Sequence, residues 1–292
     1  MKRIMRTKRS LLVSIISTTA LLAFVVTVLA AAQLIVVTPA SLDGWQLQTD
    51  STATVSFVSG PATPPLGVGS AQLSVGSDGD SGAQLRNIDY AGVQLSDLTA
   101  LTYSTYVSQD VTFPTTGDQT AYIILNVDRD GNGTIDDLLF FEPEYQHGYT
   151  TAVPDQGDNV LNTWQTWNAL TGGWYGIDPF GNPTFAGPGS NVQPLSNYVS
   201  SNPSAVIRNS GSGKGGVRLV AGFGAGSWDN FVGNVDNFTI GVSGNNTTYD
   251  FEPQIGPPAN PNACKNGGWK TFNTPRTFKN QGDCIQYVNT GK

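Results

Sequence analysis

The sequence predicts an all-β protein, an antiparallel sandwich or barrel followed by a small cysteine-bounded tail. Three observations carry this. Short apolar or alternating runs recur at a spacing of roughly 10–15 residues, separated by clusters of Gly, Pro, Asn, Asp and Ser, as strands and their turns require. No long run with a helical apolar period interrupts them between residues 33 and 252. The composition, with 34 glycines, 10 % aromatic and 13 % charged residues, suits a folded, turn-rich β chain rather than a disordered one.

In chain order, Lys2 to Arg9 form a basic stretch and Leu11 to Ala32 an apolar one closed by small residues. This predicts an export signal over 1–32, cleaved after Ala30 or Ala32. The alternative is an uncleaved anchor, since an apolar run of about 20 residues can span a bilayer. Either way the expected location is secreted or cell surface, with membrane contact only if the segment is retained. Strands follow at 52–58, 70–75, 83–86 and 98–107, broken by turns at 60–67 and 77–82. Two apolar runs, 121–126 and 138–142, read as buried strands flanking an acidic loop. Next come an aromatic strand over 163–170, a long Pro/Gly/Asn/Ser loop over 176–204, a strand at 217–223 and a closing strand at 233–241. The β domain is therefore expected over 33–252, a stiff Pro-rich linker over 253–263 and a compact module over 264–292.

Charge is segmented. Residues 1–32 carry five bases and no acid, 33–252 carry 21 acids against 5 bases, and 253–292 carry 1 acid against 5 bases. A body this acidic lacks the cationic footprint that a phosphate backbone demands, so nucleic acid is excluded as a partner. The only cysteines, Cys264 and Cys284, stand 20 residues apart. An even count in an exported context predicts one disulfide closing the tail.

The densest chemical signal is the loop Asp128-Arg129-Asp130-Gly131-Asn132-Gly133-Thr134-Ile135-Asp136-Asp137. Carboxylates and amides at alternate positions, with glycine at the sixth, match the ligand rhythm of a calcium loop. Asp128, Asp130, Asn132, the Thr134 carbonyl and Asp136 are the expected ligands. Leu139 stands where a helix–loop–helix site has its bidentate Glu, so Asp137 is asked for the missing carboxylate. Flanking strands make this a rigidifying ion rather than a calcium switch, with extracellular-type affinity of about 10⁻⁴–10⁻³ M. Its expected place is a sheet edge. The alternative is a polar hairpin turned by Asn132-Gly133.

An early tryptophan at Trp45, the Asp-rich hairpin, the Thr163-Trp164-Gln165-Thr166-Trp167 strand and the terminal Val235-Asp236-Asn237-Phe238-Thr239-Ile240 strand together resemble secreted bacterial jelly-roll modules of the carbohydrate-binding or lectin-like kind. The resemblance covers roughly residues 40–252 and implies a jelly-roll sandwich that holds sugar on a concave face or loop rim. The tail, from Cys264-Lys265-Asn266-Gly267-Gly268-Trp269 to Phe278-Lys279-Asn280-Gln281-Gly282-Asp283-Cys284, looks like a module borne by many exported bacterial proteins. Trp164, Trp167, Trp174 and Tyr175 are then the candidates for stacking on sugar rings. Trp164 and Trp167, three apart, face opposite sides of a strand, so one is expected in the core. All four serving as packing residues is the alternative.

Catalytic constellations are weaker. His147 is the only histidine and reads as a loop residue, so an imidazole zinc cluster is excluded. Glu142 and Glu144 could share a face as a glycosidase pair, but no third acid repeats in that run. Gly211 to Gly216 lacks the leading Gly and the Ser/Thr of a phosphate loop. The expected function is non-catalytic binding of polysaccharide or cell-envelope glycan with a structural calcium ion. A surface structural or adhesive protein without a glycan site is the alternative, and a glycoside hydrolase the third.

Overall fold

The computed structural model describes residues 32–108, 119–254, 256–258 and 260–292. The predicted export segment up to residue 31 lies outside them. The first strands are β1 (Gln33–Val37), β2 (Trp45–Thr49), β3 (Thr54–Ser59), β4 (Gly69–Ser74), β5 (Gly82–Asn87) and β6 (Leu98–Val107). Then come β7 (Tyr122–Asp128), β8 (Asp137–Phe141), β9 (Gln165–Asn168), β10 (Gly173–Ile177), β11 (Pro183–Phe185) and β12 (Gln193–Pro194). Helix α1 (Leu195–Ser201), β13 (Val206–Ile207), β14 (Val217–Gly222), β15 (Val232–Val242), β16 (Asn245–Phe251) and α2 (Gln281–Thr290) complete the described residues.

Two sheets form a sandwich. The first runs β1-β16-β15-β4-β3, with β6 on the other edge of β15 and β9 beyond it. The second runs β11-β10-β8-β7-β14-β5-β2, with short β12 and β13 attached. All pairings are antiparallel except β1 with β16, which run in parallel from Gln33↔Thr247 to Val37↔Phe251. Alternation drives the layering: Ala83 and Leu85, Leu219 and Ala221, Ile123 and Leu125, and Leu139 and Phe141 all turn inward and are buried. Trp45 spans the layers, edge-on to Phe238, Tyr249 and Phe251 at 5.2–5.3 Å between ring centroids.

Three expectations need correction. The 176–204 stretch is not an unstructured loop, because Leu195 and Tyr198, one helical turn apart, are both buried and draw the chain into α1 before Pro203. The strand at 232–242 does not close its sheet but runs through the middle, paired on both edges, and β16 follows it. The acidic hairpin is not at a sheet edge either: β8 and β7 lie between β10 and β14, in the interior of the second sheet.

The tail is built as the cysteines predict. Cys264 and Cys284 are bonded with Cα atoms 5.8 Å apart, and Phe278 with half-buried Trp269, Phe272, Ile285, Tyr287 and Val288 packs round them. Asn280 caps α2 by accepting from the Asp283 amide, and Gly291 ends it in the left-handed conformation. Arg276 grips both Asp283 oxygens at 2.9 and 3.0 Å and stacks over Phe278.

Candidate functional site

The residues of the second sheet that alternate with Leu85, Leu219, Leu125 and Leu139 form its other face, which is deeply set: Arg86, Gln84, Tyr122, Ile124 and Val220 on it are buried, and Gln46, Gln48, Arg218, Phe140 and Tyr175 are half-buried. Strand register aligns Gln46, Arg86, Arg218, Ile124, Phe140 and Tyr175 in a row across six strands. Gln48, Gln84, Val220 and Tyr122 make the row beside it. Phe140 and Tyr175 stack nearly parallel, 5.0 Å apart and 10° between planes, and Tyr122 extends the stack at 6.3 Å. Beyond them the face is polar. Arg86 donates from Nε to Gly215 O at 2.8 Å and from Nη1 to Gln48 Oε1 at 2.9 Å. Arg218 donates from Nη2 to Asn126 Oδ1 at 2.6 Å and, at a long 3.5 Å, from Nη1 to Gln84 Oε1.

The aromatic end opens into a cavity of about 360 Å³ lined by Tyr122, Phe140, Glu142, Tyr145, Tyr175 and Phe223, among others. Burial pushes the Glu142 carboxyl up to about 7; the hydrogen bond it accepts from the Tyr175 hydroxyl opposes this, and the charge of Glu144 adds to it. Glu142 is thus held in an aromatic wall at the margin of neutrality. Phe223 stands at the rim, 45 % exposed and at φ +61°, a conformation rare for an aromatic residue. Its ring lies where a Cβ on Gly82 would come within 2.0 Å, so the glycine makes room for it.

At the far end of β7 sits the acidic loop, about 20 Å away along a strand of seven residues. Asp128, 1 % exposed, accepts from the amides of Gly131, Asn132 and Gly133 at 2.8–3.1 Å. Oxygens of Asp128, Asp130 and Asp136 come within 4.8 Å of one another. Hard, converged carboxylate oxygens are the donor type that calcium takes; here Asp130 Oδ1 also accepts from the Asn132 amide at 3.1 Å and Asp136 Oδ2 from the Arg129 amide at 2.8 Å. Asn132 Oδ1 is occupied by the Thr134 amide and hydroxyl, at 2.9 and 2.6 Å. Asp137 leaves the set: it turns inward to Arg129 at 2.9 Å and to the Tyr198 hydroxyl, because β8 begins there and its side chain faces α1.

No family model matches this chain, and no curated protein does. Among solved structures, a β-1,2-glucanase from Parabacteroides distasonis aligns with 68 % of this chain and 23 % of its own, at 11 % identity and a TM-score of 0.35. The family 11 carbohydrate-binding module of a cellulosomal cellulase from Clostridium thermocellum aligns with 68 % of this chain and 88 % of its own, at 11 % identity and a TM-score of 0.33. A xylan-binding domain from Paenibacillus barcinonensis gives 68 %, 86 %, 12 % and 0.27 in the same order. This chain therefore spans under a quarter of the glucanase.

Of the four aromatics singled out in the sequence, only Tyr175 lies on the outer face. Trp174 is its inward neighbour, fully buried, with its indole N–H on Ala169 O at 2.7 Å. Trp167 is equally buried and donates to Thr105 Oγ1 at 2.8 Å. Trp164 is half-buried on the opposite sheet, against Tyr106 and Pro61 O. Tyr122, Phe140, Arg86 and Arg218 were not singled out. Strict alternation in 121–142 was the available signal, since Phe140 and Phe141 cannot both face the core of one strand.

A second acidic cluster lies at the boundary with the tail. Asp236, Asp250 and Glu252 are all buried. Glu252 Oε1 takes the Val68 and Gly69 amides at 2.6 and 3.1 Å, and Asp236 takes those of Leu66 and Phe251 at 3.0 and 3.1 Å. Gly67, at φ +51°, is required here, because a Cβ would sit 1.5 Å from Glu252 Oε1. Burial lifts Asp236 to about 7, and burial with the charges of Glu252 and Asp236 lifts Asp250 to about 8.

Proposed function

We propose that the outer face of the second sheet binds a polysaccharide chain, and that the protein acts as an exported, non-catalytic binding module. The row from Gln46 to Tyr175 carries this reading. Sugar rings offer apolar faces and a rim of hydroxyls. The stacked Phe140–Tyr175 pair gives the row an apolar aromatic end, and the amides and guanidinium groups beside it offer donors and acceptors for hydroxyls. Retardation in native gels containing soluble polysaccharides tests it. Tyr175→Ala should weaken binding about tenfold, the size of a truncated aromatic anchor, while Trp164→Ala on the other sheet leaves it unchanged. Equal retardation of wild type and Tyr175→Ala on every polymer that binds rejects the assignment.

The same reading gives Asp128, Asp130 and Asp136 a structural calcium ion that stiffens the β7–β8 hairpin. For a dissociation constant of about 10⁻⁴–10⁻³ M, 10 mM calcium adds about 1.4–2.7 kcal/mol to stability, or a rise of roughly 3–10 °C in Tm. Asp130→Asn should abolish the rise. A shift of the same size with magnesium, or none with calcium, counts against the site.

A further inference from the structure

The two arginines narrow the kind of glycan this face accepts. Arg86 and Arg218 stand directly opposite each other on neighbouring strands, a like-charged pairing that disfavours the sheet. Arg86 is only 6 % exposed, and the Arg218 Nε–H is buried with no acceptor. Each guanidinium makes two hydrogen bonds to the protein, and all four acceptors are neutral: Gly215 O, Gln48, Gln84 and Asn126. Among the described residues no Asp or Glu forms an ion pair with either, although residues 33–252 hold 21 acids. Burial disfavours the charged form of both, and their mutual repulsion adds to this at Arg218. Arginine nonetheless stays charged, so the cost is borne by the fold until a counter-charge arrives. Neutral amides orient the two forks without neutralising them.

We propose, building on the glycan reading of this face, that its ligand is an acidic polysaccharide with a ring carboxylate seated on Arg86 and Arg218. A planar carboxylate matches the guanidinium fork in a two-pronged contact that a hydroxyl cannot make. Arg218 and Phe140 lie two strands apart, about 10 Å at normal strand spacing, so one oligosaccharide running along the row reaches both the cationic pair and the aromatic stack. The strongly negative remainder of the body repels polyanions that do not make this contact, which leaves the paired arginines as the selecting feature.

Gel retardation of the full chain in three polymer classes tests this: uronate polymers (polygalacturonate, alginate), neutral polymers (xylan, mixed-linkage glucan) and dextran sulfate. Uronate polymers should bind about tenfold more tightly than neutral ones. Arg218→Gln should erase that preference, Arg218→Lys should restore only part of it, and Tyr175→Ala should weaken uronate binding while keeping the preference. Neutral polymers bound as tightly as uronates overturn the inference and leave the glycan reading standing. Dextran sulfate bound as tightly as uronates overturns the carboxylate assignment. No binding to any polymer defeats both readings. If Arg218→Gln lacks a cooperative urea transition, the wild-type ranking of the three classes decides alone.

Discussion

Trp174→Ala should destabilise the protein by about 3–5 kcal/mol, the cost of emptying a large aromatic site in a packed core, and glycan retention should fall only in step with the folded fraction. The indole is enclosed: it packs on Phe141 at 5.6 Å and gives its N–H to Ala169 O. The glycines before it are needed for close packing. A Cβ at Gly172 would meet Phe141 at 2.3 Å, and one at Gly173 would meet Val192 at 2.4 Å. Urea unfolding of the variant measures the loss. A variant within about 1 kcal/mol of wild type that no longer binds glycan would return Trp174 to the ligand surface.

Stability measured in EDTA should fall as pH rises from about 4 to about 8. The sign follows from the acid cluster by the tail. Asp236 and Asp250 titrate near 7 and 8 in the folded protein, far above their unfolded values, so the folded state binds more protons in that window. Their stabilising effect is complete below the unfolded value and vanishes as pH passes the folded ones. The loss is on the order of a few kcal/mol, discounted for the partial solvent access of the boundary. Asp250→Asn removes one titrating charge and should make the profile shallower without abolishing it, because burial also lifts Asp236 and Glu142 to about 7. Urea midpoints at half-unit pH steps decide it; a wild-type midpoint that climbs through this window contradicts the burial of these acids.

Local pattern revealed much of the fold and little of the site. The β7–β8 hairpin was legible because its apolar runs are short, rich in large residues and joined by an obligatory turn. The disulfide was legible from two cysteines and a spacing. The row proposed to take a glycan was not, because it is assembled by register: Arg86 and Arg218 are 132 residues apart in sequence yet opposite in the sheet. Trp174 and Tyr175 show the same limit on a smaller scale. Adjacent aromatics beside two glycines look like a loop rim, whereas strand alternation sends one into the core and the other to the face. The turn that builds α1 was hidden for a further reason. Its sequence is Ser- and Asn-rich, and only the burial of Leu195 and Tyr198 against the sandwich overrides that weak propensity.

The parallel pairing of β1 with β16 has a mechanical meaning. Gln33 lies at one end of the ladder and Phe251 at the other, on adjacent strands running the same way. Tension applied between those two points pulls the strands lengthwise past each other, so the five register pairs resist together instead of peeling open one at a time. A pull transmitted through the segments that flank this pair would therefore load the ladder in shear.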